Sequence, residues 1–324
     1  MDSLIGNESE FNACPAKNYC PAKNNCPATN NCPATNNCLA EIFAQHCFAM
    51  ACCDLPDGPA MQAAAATSAE RDAFASALRG AMNDSAQYDA LNDALIDGMN
   101  IGPEKAPLFR RYFEEVMTDP AMQQRMIDEM LATGLLDVII ASGDEAEAMR
   151  TGFSLGYEVM VSITTRGLAK MSHDDIRTFF TLMGQAFGQV ETRYCRILMQ
   201  QHGATQEAQI LASFAFMRSL DLPQFRSYLS LSKAALAAEL LPAVPRPPLT
   251  AAQLDLSNQD FVVKFQAALQ ELADPRGVVM SLSEPHSAAD EDFCAAGKLV
   301  FTVLAEMDGL TGQWMRRATL AAAE

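Results

Sequence analysis

The sequence has 324 residues, 49% of them hydrophobic and 19% charged, which is the composition of a globular chain with a substantial core rather than of a disordered one. Forty acidic residues against 23 lysines and arginines give a formal net charge of −17. The basic residues are scattered along the chain, so we expect no binding to the phosphate backbone of a nucleic acid.

A hexapeptide repeat distinguishes the N-terminal segment, residues 1–38. Cysteine recurs every six residues, and proline follows the first four of these cysteines, which are Cys14, Cys20, Cys26, Cys32 and Cys38. Regular prolines remove backbone donors and clash with the preceding turn, so this Cys-Pro repeat is predicted to be non-helical. It holds few apolar side chains, and we expect an extended or turn-rich conformation. A short left-handed β-helix is an alternative, provided that the segment packs on another surface.

Residues 39–61 are predicted to form a cysteine-containing helix and a turn linker. Apolar and cysteine side chains recur there with helical periodicity, at Leu39, Ile42, Phe43, Cys47 and Met50. The turn-forming sequence Asp54-Leu-Pro-Asp-Gly-Pro59 ends the helix.

The rest of the chain shows one helical pattern after another, which predicts an all-α multi-helix bundle or array. Helices are predicted near 68–81, 86–98, 104–117, 120–132, 144–170, 173–202, 205–219, 222–240, 258–273, 289–307 and 311–322. Capping sequences begin at Thr67, Ser172 and Ser287, and Asp119 precedes a proline at the first helical position. No stretch alternates with period two, so no sheet is expected; residues 135–140 fit either a strand or a short helix.

A proline-rich connector at residues 241–248 is the clearest internal break. Four prolines in seven residues favour a stiff, extended conformation. We therefore predict a main helical domain over residues 62–240 and a C-terminal helical region over residues 249–324.

The repeated cysteines are the best candidates for chemistry. Thiolates bind soft or borderline metals such as Zn(II) and Cu(I), and a histidine can complete the ligand set. The predicted metal ligands are Cys14, Cys20, Cys26, Cys32, Cys38, His46, Cys47, Cys52 and Cys53. Residues six apart lie roughly 19 Å from each other in an extended chain, so chelation requires a turn in each unit. Proline and asparagine suit such turns.

Other side chains receive structural interpretations. Met122, Met126 and Met130 share one helix face, and core packing explains them without a metal. Cys195 and Cys294 fall within predicted helices, where we expect each to pack as a small apolar side chain. Glu158 and Glu191 lie on neighbouring predicted helices and are expected to pair with nearby arginines. An enzyme would require these two carboxylates to share a pocket.

The sequence thus predicts a non-enzymatic helical binding protein whose cysteine array binds a soft metal or performs thiol chemistry. One alternative is a helical adaptor with a cysteine-rich tether, acting through a protein partner or as a homo-oligomer. Another is that the repeated cysteines are a substrate for post-translational modification, and disulfide pairing in an oxidising compartment is also open.

The expected location is the cytoplasm. The first twelve residues lack the basic and apolar regions of a signal peptide. No membrane span is expected, because the nearest candidate segment, residues 229–244, contains Lys233, Glu239 and Pro242.

Overall fold

A computed structural model of the chain describes residues 67–132, 134, 136–137, 145–200, 204–240 and 247–321. These residues form thirteen helices and no strand. The all-α prediction is therefore confirmed for the part of the chain that is described. The Cys-Pro repeat, residues 39–61 and most of residues 135–140 lie outside it.

The helices follow one another with short connections. In chain order they are α1 (Ser68–Asn83), α2 (Ser85–Met99), α3 (Ala106–Met117), α4 (Pro120–Ala132), α5 (Glu145–Lys170), α6 (His173–Phe187), α7 (Thr192–Met199), α8 (Gln206–Ser219), α9 (Leu222–Leu240), α10 (Ala251–Gln270), α11 (Pro275–Ser283), α12 (Asp290–Glu306) and α13 (Gly309–Ala321).

Side-chain caps fix three of the predicted helix starts. The Thr67 hydroxyl accepts from the backbone of Glu70, whose carboxylate accepts in return from the Thr67 backbone at 2.7 Å. Ser172 caps α6 through the backbone of Asp175. The Asp119 carboxylate accepts from two backbone N–H groups at the start of α4. These caps satisfy donors that a helix cannot satisfy internally, so their positions are readable from sequence.

The helices in the second half of the chain differ from the prediction in four respects. The single helix predicted over 173–202 is two helices, because α6 ends at Phe187 with Gly188 as its C-cap and α7 begins at Thr192. Helix α10 begins at Ala251 rather than 258, since Thr250 and Gln253 form a capping box. Helix α11 was not predicted; Asp274 caps it ahead of a proline. Ser287 is not the cap of α12, because Asp292 accepts instead from the Ala289 backbone.

Two hydrophobic clusters form the core. The smaller lies between α3, α4, α5 and α9, and the larger takes residues from α2, α3 and α5 to α13. Six phenylalanines in the larger cluster are almost completely buried: Phe180, Phe187, Phe225, Phe261, Phe293 and Phe301. The larger cluster therefore draws side chains from both sides of residues 241–246.

Glycines allow two pairs of helices to approach closely. Helix α5 packs along α9, where a Cβ on Gly167 would lie 1.9 Å from the carbonyl oxygen of Ala235. Helix α6 packs along α12, where a Cβ on Gly297 would lie 2.5 Å from the ring of Phe187. Neither approach tolerates a methyl group without displacement of the neighbour.

Several helices end on a cation supplied from elsewhere in the chain. The last turns of α2, α9 and α12 contain no basic residue. Arg218 donates to Met99 O and Arg125 to Leu240 O, while Arg316 and Arg177 both donate to the end of α12. The final carbonyls of a helix lack partners within it and carry partial negative charge, so these contacts satisfy and neutralise them together.

An ion-pair network joins the ends of α5 and α9. The Glu239 carboxylate lies 2.9 Å from Arg166 and 2.5 Å from Lys170, and Arg166 also pairs with Glu129 on α4 at 3.4 Å. Partial burial of the Glu239 carboxylate raises its pKa, but the hydrogen bonds from Lys170 and Arg166 outweigh this effect and hold the pKa below the ordinary value of a glutamate.

Gly167→Ala should destabilise the protein because the new methyl group meets the backbone of α9. We expect a loss of about 1–3 kcal/mol in the free energy of unfolding, measured by chemical denaturation. Gly156 lies on the same helix, and a Cβ there meets no atom within 4 Å. Gly156→Ala should therefore be neutral or stabilise by about 0.5–1 kcal/mol through helix propensity. Equal effects of the two substitutions would contradict the close approach of α5 and α9.

Glu239→Gln should weaken the protein in a pH-dependent manner. A carboxylate whose pKa is lower in the folded than in the unfolded state contributes stability above its unfolded value, and the contribution disappears as pH falls through the folded value. The stability difference between wild type and variant should be largest near neutral pH and shrink below about pH 4.5. Urea titrations at several pH values measure it. A difference that stays constant as the carboxylate protonates would mean that the ion pairs do not stabilise the fold.

Candidate functional site at the junction of α7 and α12

The predicted metal ligands all precede the first described residue, Thr67. Cys14, Cys20, Cys26, Cys32, Cys38, His46, Cys47, Cys52 and Cys53 all lie outside the described residues. Within residues that the structure describes, no group of three or more His, Cys, Asp or Glu side chains is placed to hold a metal ion.

A disulfide bond joins the two cysteines of the helical body. Cys195 on α7 and Cys294 on α12 are 99 residues apart in sequence, and their Cα atoms are 5.0 Å apart. The expectation that each packs as an isolated apolar side chain is therefore wrong. Cys195 is completely buried, whereas Cys294 is half-buried and has its sulfur 4.0 Å from the Thr192 carbonyl oxygen.

Arg196 reinforces the same junction from the residue next to Cys195. Its guanidinium donates to the carbonyl oxygens of Pro285 and Ala288 and to the Asp290 carboxylate, at 2.7, 2.5 and 2.8 Å. It also lies over the Phe293 ring, 4.4 Å from the centroid. One planar cation thus fixes the turn that leads into α12, which is the kind of multiple donation for which arginine is suited.

Helix α7 depends on these contacts because it has only eight residues. A helix of this length is not stable alone in water, so its packing decides whether it forms. Cys195, Leu198 and Met199 are its buried side chains. The disulfide, the Arg196 contacts and this apolar face together hold α7 against α12.

The other candidates named from sequence have structural roles where they are described. Met122 and Met126 are buried in the smaller core cluster, and Met130 packs against it, so the core interpretation is confirmed. Glu191 is exposed and pairs with Arg193 at 2.7 Å, as expected. The side chain of Glu158, and with it the pocket that it would share with Glu191, lies outside the described residues.

Two buried cations were not identified from the sequence. Lys105 is 6% exposed and donates to Arg218 O at 2.8 Å, and Arg316 is 4% exposed and donates to Leu304 O and Met307 O. Burial lowers the pKa of both groups. Lys105 contacts a carbonyl at the C-terminal end of α8, and Arg316 contacts the C-terminal carbonyls of α12. Such contacts leave no periodic pattern in the sequence from which they could be predicted.

The disulfide left only a faint signal in the sequence. Eight of the ten cysteines lie between residues 14 and 53, which leaves an isolated pair in the helical body. An even remainder is compatible with pairing, but spacing does not show that two distant helices meet.

Comparison with protein-family models, with curated proteins and with solved structures found no match. Among the described residues, no helix is both long enough and apolar enough to cross a membrane.

Removal of the disulfide should destabilise the body. For the double variant Cys195→Ser/Cys294→Ser we expect the free energy of unfolding to fall by about 2–5 kcal/mol, because a closed loop of roughly 100 residues strongly restricts the unfolded chain. Chemical denaturation of wild type in excess dithiothreitol should give nearly the same loss. A variant as stable as the oxidised wild type would show that the bond contributes nothing.

Proposed function

We propose that the protein is a non-enzymatic binding protein, in which a helical body carries an N-terminal cysteine array that takes up a soft metal ion such as Zn(II) or Cu(I). The array consists of Cys14, Cys20, Cys26, Cys32 and Cys38, with His46, Cys47, Cys52 and Cys53 as further ligands. Thiolate sulfur suits these metals, and four ligands saturate one zinc ion.

One observation carries the proposal: the helical body uses both of its own cysteines for a disulfide. The other eight cysteines are concentrated in 40 residues, from Cys14 to Cys53. Cysteine is thus concentrated where the sequence offers the least material for a core, and five members of the array are evenly spaced. A concentration of this kind, together with turn-forming proline and asparagine, is what repeated chelation requires.

The disulfide also bears on the compartment. Structural disulfides are rare in a reducing cytoplasm. The proposed cytoplasmic location requires that the Cys195–Cys294 disulfide either resists reduction there or forms only in the presence of an oxidant. In an oxidising compartment the array thiols would instead pair as disulfides and would not be available to a metal.

The metal content of the anaerobically purified protein tests the proposal. Elemental analysis of wild type should find zinc or copper in stoichiometric amount. A variant with serine at the five repeat cysteines should lose most of this metal, whereas Cys195→Ser/Cys294→Ser should retain it. The second variant is the matched control, because it removes cysteines without altering the array.

Three results would overturn the proposal. They are absence of metal from wild type, equal metal in the two variants, and native array cysteines that are all disulfide-bonded when mapped by mass spectrometry. A covalent group on those cysteines in the same spectra would instead favour the array as a modification substrate.

A second candidate function is a helical adaptor that binds a protein partner or another copy of the chain. Leu256 and Val263 lie on the same face of α10, seven residues apart, and are 53% and 64% exposed. Large apolar side chains on one exposed face are typical of an interaction surface. A native mass by light scattering that drops when both residues are changed to glutamate would support self-association, and an unchanged mass would remove it.

A further inference from the structure

We propose that the Cys195–Cys294 bridge is a reversible redox modification site, which a small dithiol opens from one side by attack on Cys294. The substrate class is a low-molecular-weight dithiol. The inference concerns the helical body and does not depend on metal binding by the N-terminal array.

Burial gives the reaction its direction. A thiolate attacks one sulfur of a disulfide in line with the bond and displaces the other. Cys195 is 0% exposed, so its sulfur offers no access. Cys294 is half-buried on α12, one residue before Ala295 and four before Lys298, both of which are exposed. The geometry therefore makes Cys294 the attacked sulfur and Cys195 the leaving group.

The chemistry balances with the dithiol as the only co-reactant. Its first thiolate forms a bond to Cys294 Sγ, the Sγ–Sγ bond breaks, and the electron pair goes to Cys195 Sγ, which takes a proton. The second thiol of the reagent loses its proton, attacks the first sulfur and forms a cyclic disulfide, and the Cys294 thiolate that leaves takes up the second proton. Two electrons and two protons have passed to the protein, and the dithiol has been oxidised.

The surrounding contacts make the opening local and reversible. None of the three hydrogen bonds of Arg196 at this junction involves a sulfur atom, so they persist after reduction. A protonated Cys195 fits its buried site as a small apolar side chain. The two thiols therefore stay close, and an oxidant can close the bridge again. The eight-residue α7 loses one of its attachments and should loosen before the rest of the body.

Two single variants test the direction of attack. Cys195→Ser leaves Cys294 as the remaining body thiol, and Cys294→Ser leaves Cys195, so both lack the bridge and differ only in which sulfur is present. The folded full-length variants are incubated with the neutral probe 2-hydroxyethyl disulfide, and peptide mass spectrometry locates the mixed disulfide. We expect modification of Cys294 to be at least about tenfold faster than that of Cys195. Equal rates, or faster modification of Cys195, would overturn the proposal.

Wild-type protein provides a test that does not depend on the folding of the variants. A pulse of dithiothreitol in native buffer, followed by alkylation, should label both cysteines while hydrogen exchange remains slow in α10. Exchange in α7 should rise by at least about tenfold on reduction and return after reoxidation. If the disulfide is reduced only in denaturant, or if exchange rises equally in α7 and α10, the bond is a permanent structural cross-link and the proposed redox site is wrong.

Discussion

A helix leaves carbonyl groups without partners at its C-terminal end, and this chain satisfies several of them with cations from elsewhere in the sequence. Arg316 and Arg177 converge on the end of α12, Arg125 on the end of α9, Arg218 on the end of α2 and Lys105 on the end of α8. Because all of these contacts except that of Arg316 join elements more than 100 residues apart, they orient helices as well as capping them. The chain has only 23 basic residues against 40 acidic ones, and five of the basic residues are used to neutralise helix C-termini.

Local rules explain why much of the helical pattern could be predicted. Thr67, Ser172 and Asp119 cap helices through residues two or three positions away, so the information is contiguous. The same rules, applied to Thr250 and Asp274, would have placed the starts of α10 and α11. The break after Phe187 is different, since the apolar pattern continues through it and the helices separate at Gly188. Contacts such as Gly167 against Ala235 depend on a crossing that no local pattern encodes.

The cysteines divide into two groups by their position in the sequence. Eight lie between Cys14 and Cys53, five of them evenly spaced and therefore visible in the sequence, and all eight lie outside the described residues. The pair in the helical body is unremarkable in sequence but becomes a covalent link once α7 and α12 pack together. Sequence reasoning found the first group through its repetition and missed the second, because pairing across 99 residues is a property of the tertiary fold.

The covalent link has a topological consequence for the integrity of the chain. Residues 196–293 form the interior of a closed ring that includes α8 to α11. A single peptide-bond cleavage anywhere inside this ring would yield two polypeptides that remain one molecule until the sulfur–sulfur bond is cut. The oxidised body can therefore survive a proteolytic nick that would separate the reduced one into two chains held only by noncovalent packing.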